Sequence, residues 1–517
     1  MVPVPLGGFM KYIIAHDIGT SGNKASLFST EGELICSQTY SYKTHWFNHS
    51  HAEQNPVDWY EAIKVTTSGI TNDIDVEDVL AISFSGQMMG CVLVDENGSP
   101  LRPGIIWADT RAHIEEDFIR SRINEDEFYG ITGHRISSSY SLAKVLWVKN
   151  NEEDIYKKTH KMLNPKDYII YRLTNKFVTD YSDASGTNIL DLNKLEWSDE
   201  IVKQVNLRLD ILPNLVKSTD VVGRLTEQGA YDLGLSTNTV VVAGGGDGAM
   251  SAIGARCIHD GDWFATIGNS AWVARTSKKP IIDKARRIFN WAHVVPNMYI
   301  PCGTMQAAGA SIKWIKEMLL EGIRDETEAY NYMNEIVNKS PIGSNGITYL
   351  PYLMGERSPR WNPKARGCFL GMDMSSSKED LIRSVYEGIS LNLEVIRQIL
   401  DQGDKSSEIL VTGGGAKSLA WLQMFADIFN KTIIVPTYVE EATSIGAAVS
   451  AGVGIGIYDS FDVVNDFIHV DKRIEPKEEN VNLYQPLKEV FELAYESLVP
   501  YFNKNGQSQE DGGNNEI

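Results

Sequence analysis

Asp17-Ile18-Gly19-Thr20-Ser21-Gly22 and Thr266-Ile267-Gly268-Asn269-Ser270-Ala271 lie about 250 residues apart, yet they line up residue for residue. Each reads as a tight turn between two apolar, strand-like runs. A second pair aligns in the same way. Ile82-Ser83-Phe84-Ser85-Gly86-Gln87 resembles Leu410-Val411-Thr412-Gly413-Gly414-Gly415, each a strand that runs into a loop of small residues. A pattern repeated on that scale predicts two related α/β domains, approximately residues 10–255 and 256–500. The cleft between them is the natural place for a ligand.

Local signals fill in this frame. Tyr12-Ile13-Ile14-Ala15 is an apolar run entering the first turn, and Lys24–Phe28 and Leu34–Tyr40 continue as strands. Asn55-Pro56 followed by Asp58 predicts a helix start, with a capping side chain and then proline at the first helical position. Thr239-Val240-Val241-Val242-Ala243 is the strongest strand signal, because β-branched residues fit a pleated, buried surface. It ends at Gly244-Gly245-Gly246-Asp247-Gly248. The small residues of the stretch from Ala249 to Ala255 suit close helix packing. Leu381, Val385, Ile389, Leu393, Ile396 and Leu400 share one helical face and predict a helix over 380–401. The polar composition of 503–517 predicts a tail without fixed structure.

Composition removes several classes of function. The 517 residues carry 48 Lys+Arg and 68 Asp+Glu, a formal charge of −20. With no basic block, such a chain repels nucleic acid and anionic membrane surfaces. No apolar run reaches the roughly 18–20 residues of a spanning helix, and residues 1–10 lack the charged start of a signal peptide. Cys36, Cys91, Cys257, Cys302 and Cys368 have no paired spacing, which argues against a disulfide framework and for a reducing cytoplasm. His45, His49 and His51 read as loop histidines. Trp59, Trp107 and Trp147 read as core or cleft-wall aromatics.

The turns carry the chemistry. Gly19 and Gly22 allow backbone conformations that aim N–H groups at an anion, and Thr20 and Ser21 add hydroxyls. Two such turns facing one cleft could grip successive phosphates of a nucleotide; a plain polar hairpin is the other reading. Asp17, at a strand end, suits Mg²⁺ held through water. Asp247, between glycines after the valine-rich strand, reads as a general base for an attacking hydroxyl or as a helix cap. Gly413-Gly414-Gly415-Ala416 offers a flat backbone for a ring or a simple strand-to-helix turn. Neither glycine triplet is a Walker loop.

Two longer segments add a family resemblance. Ser139–Asn150 (Ser-Tyr-Ser-Leu-Ala-Lys-Val-Leu-Trp-Val-Lys-Asn) and Gly367-Cys368-Phe369-Leu370-Gly371 through Ser384-Val385-Tyr386-Glu387-Gly388 resemble the two signatures of the FGGY family of carbohydrate kinases. Further matching pieces are most similar to the xylulose kinases of that family. They are Ser85–Met88, Leu163–Tyr168, Asp180–Thr187, Ala243–Asp247 and Pro351–Arg357. The resemblance covers about residues 11–500.

It implies a duplicated actin-like, ribonuclease-H-like fold, with the sugar in the first domain and the nucleotide in the second. It implies ATP- and Mg²⁺-dependent phosphorylation of a sugar hydroxyl, with Asp247 as base and Asp17 near the metal. Gln87, Met88 and Met89 would line the sugar pocket. Thr20, Ser21, Lys24, Gly268 and Asn269 would lie near the phosphates, and Gly309, Lys313, Gly414, Gly415 and Ala416 near the rest of the nucleotide. The implied substrate is a ketopentose, D-xylulose first. Other ketoses and polyols (L-xylulose, ribulose, fuculose, erythritol, glycerol) are the alternatives, and a homodimer is common in the family.

Three positions depart from the pattern. Met89 replaces a histidine, Asn269 replaces a threonine in the second turn, and His16 precedes Asp17 where an aliphatic residue is commoner. An actin- or chaperone-like ATPase shares the first turn but lacks the glycine-flanked Asp247 and both signatures.

Overall fold

The computed structural model describes residues 10–512 apart from 49, 321, 324, 404–405 and 438–440. Two seven-stranded sheets organise it. The first contains β1 (Tyr12–Ile18), β2 (Gly22–Ser29), β3 (Leu34–Ser41), β4 (Val79–Gly86), β5 (Val221–Arg224) and β6 (Val240–Val242), in the order β5-β6-β4-β1-β2-β3. Gly245 and Gly246 extend it by pairing with the end of β4. The second contains β7 (Trp263–Ile267), β8 (Ala271–Arg275), β9 (Phe289–Ala292), β10 (Tyr299–Met305), β11 (Glu408–Thr412), β12 (Thr432–Pro436) and β13 (Val470–Ile474), in the order β9-β10-β8-β7-β11-β12-β13.

The duplication extends to the direction of the strands. In the first sheet β3-β2-β1 is antiparallel and β1-β4-β6 is parallel. In the second, β10-β8-β7 and β7-β11-β12 repeat that plan. Register corrects one detail of the sequence repeat. Asp17 pairs with Ser85, and Thr266 pairs with Thr412. Ser85 therefore corresponds to Thr412, not to Gly413, and the second repeat aligns one residue earlier than the sequence alone suggests.

The helices used below are α1 (Pro56–Thr71), α2 (Ser141–Asn151), α3 (Asp247–Gly254), α4 (Gly309–Leu319), α5 (Lys378–Leu400), α6 (Ala442–Gly454) and α7 (Glu478–Gly512). Helix α1 starts as its sequence predicts, with the Asn55 side chain accepting from the Val57 N–H. Helix α7 continues through 503–512, where composition predicts no structure; 513–517 lie outside the described residues.

Strand β1 is apolar on both faces because both are covered. Ile14 and Ile18 pack with Trp59 and Ile63 of α1. Ile13 and Ala15 pack with Ile445 and Ala447 of α6, which arrives from the second half of the chain. Helices α3 and α6 cross between the two sheets at backbone distance. A Cβ on Gly254 would overlap the Ala442 carbonyl, and one on Gly446 would overlap that of Met250. A second link lies along β9. Asn290 N–H donates to Gly133 O at 3.1 Å, the Tyr129 hydroxyl to Ile288 O at 2.9 Å, and Ala292 N–H to Ser185 Oγ at 3.2 Å.

Candidate active site

The first turn spans Gly19 to Ser21 and is closed by Gly19 N–H donating to Gly22 O at 3.0 Å. Thr20 is already engaged. Its hydroxyl accepts from Trp107 Nε1 at 2.8 Å and its carbonyl from Gln54 Nε2 at 2.6 Å. Asp17 sits at the base of the turn, where Ser85 Oγ donates to Oδ1 at 2.8 Å and Thr443 Oγ1 to Oδ2 at 2.7 Å. Burial raises its pKa above the usual carboxylate range, while those two hydroxyls and Lys24 pull it back. Lys24 Nζ lies 2.9 Å from Glu441 Oε1. Thr443 and Glu441 stand at the start of α6, so both Asp17 and Lys24 are tied to the second half of the chain.

Asp247 is the first residue of α3, and Gly246 is the cap. Its Oδ1 accepts from Gly248 N–H at 2.7 Å. Burial first, and the neighbouring charge of Asp17 second, push its pKa up to about 7. The backbone before it is fixed from behind. Gly246 N–H donates to Ser182 Oγ at 3.0 Å, and Ser182 Oγ donates to Asp180 Oδ2. Fully buried Lys166 bridges Asp167 at 2.7 Å and Asp180 at 3.2 Å.

Gln87, Met88 and Met89 follow β4, and Met88 packs on the glycines that flank this carboxylate. Gln87 Nε2 donates to Gln54 Oε1 at 2.8 Å, and its own buried Oε1 has no partner among the described residues. Met88 is buried against Gly246. Met89 holds a left-handed backbone, φ 60°. That conformation is pinned by Lys144 of α2, whose buried ammonium donates to Met89 O at 2.8 Å, Ile106 O at 2.8 Å and Ser139 O at 2.6 Å. Burial lowers the Lys144 pKa to about 7. Part of the first signature therefore serves to hold the Gln87–Met89 loop.

The second turn, Gly268 to Ser270, borders a cavity of about 520 Å³. Gly268, Asn269, Gly309, Gly414 and Gly415 line it together with Tyr330, Asn334, Tyr386, Ser418 and Trp421. Gly309 opens α4, and its N–H donates to Gly268 O at 2.9 Å. A Cβ there would stand 2.5 Å from that oxygen, so only glycine fits. At Gly414 a Cβ would meet nothing within 4 Å, which leaves one wall open to a flat ring.

Two residues expected here are elsewhere. Lys313 points to solvent, 58% exposed and 4.0 Å from Glu317, because α4 buries its Ile312 and Ile315 face. Ala416 is buried beneath the wall rather than on it.

Three other sequence features resolve simply. His16 is a core residue, hydrogen-bonded to Asn23 and Thr67, and burial lowers its pKa to about 3. Trp59 is fully buried, and Trp147 lies under the Arg111 guanidinium at 4.9 Å. His45 is exposed on a short strand and His51 packs against Phe47; His49 lies outside the described residues. Sequence reasoning missed Thr443, Glu441, Ser85 and Lys144. Ser85 and Lys144 stand inside segments that carry the family resemblance, yet the groups they hold lie elsewhere in the chain, and nothing local marks what any of the four does.

The family model described as FGGY family of carbohydrate kinases, N-terminal domain, matches residues 12–254, and its C-terminal counterpart matches residues 264–455. The chain belongs to the FGGY family of carbohydrate kinases. As a member it is a phosphotransferase, and the family implies ATP as the donor. Its relatives include a protein named xylulose kinase from Staphylococcus epidermidis, 36% identical over 93% of this chain and 96% of that relative. They also include one named gluconokinase from Bacillus subtilis, 34% identical over 93% of this chain and 94% of that relative. The solved gluconate kinase from Lactobacillus acidophilus superposes with a TM-score of 0.91 at 28% identity, covering 96% of this chain and 99% of that one. Among the described residues, no helix of this FGGY kinase is long and apolar enough to cross a membrane.

Proposed function

We propose that this FGGY kinase transfers the γ-phosphoryl group of ATP to a primary hydroxyl of a ketopentose, D-xylulose first among them. The observation that carries the reading is Asp247. It is a buried carboxylate poised near pH 7 beside the Gln87–Met89 loop, in a protein whose other half holds a nucleotide-sized cavity. The nucleotide lies against Gly309, Gly414 and Gly415, with its phosphates toward Gly268–Asn269 and Thr20–Ser21. Gln87 and the Met88–Met89 wall orient the sugar. Asp247 takes the proton as the hydroxyl oxygen attacks.

Mg²⁺ fits the donor set. Asp17 and Asp247 are neighbouring buried carboxylates, and a divalent cation would offset their mutual repulsion. Both oxygens of Asp17 already accept hydroxyls, so Asp17 would hold the ion through water. When bound, the ion supplies charge neutralisation at the phosphates. The free state of all five cysteines suits a reducing compartment, and the cytoplasm is the proposed location.

The base acts only when ionised. The acidic limb of kcat/KM is therefore expected near pH 7, with activity falling as pH drops through it. A cation beside Asp17 would draw that limb lower. A pH–rate profile whose acidic limb stays near pH 4 at limiting Mg²⁺ contradicts the assignment.

Substrate choice is tested by an ADP-release screen over ketopentoses, ketohexoses, aldonates, polyols and glycerol. Met89 presents a thioether where an imidazole could have bonded a hydroxyl, and losing that bond is worth roughly 1–3 kcal/mol. Met89→His is expected to raise kcat/KM on D-xylulose relative to the other sugars. The left-handed backbone tolerates histidine better than most residues, so the loop should keep its shape. Strong turnover of glycerol with none on any ketopentose would sink the substrate reading and leave the kinase intact.

A further inference from the structure

Arg357 stands apart from most charged residues of the chain. The chain has 68 acidic residues for 48 basic ones, so partners are abundant. Yet among the described residues no side chain or carbonyl accepts a hydrogen bond from its guanidinium, and no carboxylate there lies within ion-pair distance. The adjacent carboxylate is already committed. Glu356 accepts from Gln306 N–H at 2.8 Å, Arg357 N–H at 2.9 Å and Asn392 Nδ2 at 3.2 Å. The half-buried guanidinium lies instead over two aromatic rings, 5.9 Å from the centroid of Phe289 and 5.7 Å from that of Trp361.

Its position relates it to the sugar loop. Met88, Tyr140, Phe289 and Trp291 share one apolar cluster, and Met89 and Trp361 pack against it. Met88 borders Gly246, next to the base, and Phe289 lies beneath Arg357. Packing thus links the two ends: Met88 and Trp291 both border Gly186, Trp291 meets Phe289 edge-on at 5.4 Å, and Phe289 lies under Arg357. His134 is fully buried in the same cluster, with Nδ1 2.9 Å from the Tyr140 hydroxyl.

We infer that Arg357 is a specificity-determining residue, donating to an acceptor-only oxygen, a ketone or a carboxylate, at the end of the substrate remote from the phosphorylated hydroxyl. The inference rests on the sugar-kinase reading of the cleft and narrows its substrate class to oxo sugars. A guanidinium has five N–H donors and no acceptor. A ketone or carboxylate oxygen matches it fully. A hydroxyl in the same place can accept, but its own proton then faces the rings of Phe289, Trp291 and Trp361, and an unpaired polar hydrogen disfavours the complex.

The test compares wild type, Arg357→Gln and Arg357→Lys on D-xylulose, D-gluconate and xylitol, the last being D-xylulose with its ketone reduced. Steady-state kinetics are paired with calorimetric sugar binding. For the oxo substrate that wild type uses, Arg357→Gln should raise KM and the dissociation constant by about 10–10²-fold, with kcat changed far less and KM for ATP unchanged. On xylitol the variant should shift less than about threefold, and Arg357→Lys should recover part of the loss. A loss confined to D-xylulose assigns a ketone, and one confined to gluconate assigns a carboxylate. Unchanged KM and binding for both oxo sugars overturn the inference, as does an equal loss on xylitol. If nothing is phosphorylated, the kinase reading has failed, and the binding data still decide the role of Arg357.

Discussion

Asp247→Asn should lower turnover by about 10²–10⁴-fold, the usual scale for removing a general base, with little change in nucleotide affinity. The same variant should be more stable than wild type at pH 8. Burial holds the folded pKa of Asp247 at about 7, against 3.8 for an ordinary aspartate. Below pH 4 the group is protonated in both folded and unfolded chains and contributes nothing. Between pH 4 and 7 the unfolded chain ionises first, so stability falls as pH rises. Above 7 the cost is complete, on the order of 3–5 kcal/mol. Asparagine cannot ionise and escapes it. Melting curves should therefore diverge far more at pH 8 than at pH 4.5. Near-normal turnover would remove Asp247 from the mechanism. An equal melting temperature at both pH values would remove the buried-charge argument while leaving the catalytic one.

Gly446→Val should destabilise the protein by roughly 3 kcal/mol or more, because the new Cβ meets backbone, which has no rotamer to retreat to. Helices α3 and α6 would have to separate, and with them the two sheets that they join. Gly130→Ala provides the opposite sign. It lies within the helix Glu125–Thr132, and a Cβ there meets nothing within 4 Å. That substitution should be neutral or stabilise by about 0.5–1 kcal/mol. A Gly446→Val protein that melts with wild type would show that the helix crossing yields at little cost.

What sequence alone could reveal follows from how local each feature is. The glycine-bounded turn after β1 and the carboxylate between glycines before α3 announce themselves within a few residues, so both were legible. So was the small-residue stretch of α3, whose purpose, contact at backbone distance, is a matter of side-chain size. The partners of the site were not legible. Thr443 reaches Asp17 across 426 positions, and Lys144 reads as one more polar residue until its three carbonyls are seen around it. The one-residue slip in the second repeat arose because glycines carry no side chain to mark register. Lys313 could have been placed correctly, since Ile312 and Ile315 already define the buried face of α4.

The placement of α6 bears on how the chain is made. Its side chains cover one face of the first sheet, yet it is encoded about 200 residues after that sheet is complete. At about 5–20 residues per second, the ribosome leaves Ile13, Ala15, Ala81 and Val242 without their cover for some 10–40 seconds. During that interval the nascent first half is an incomplete core with an open apolar face. Expressed alone as residues 10–255, it should aggregate rather than fold.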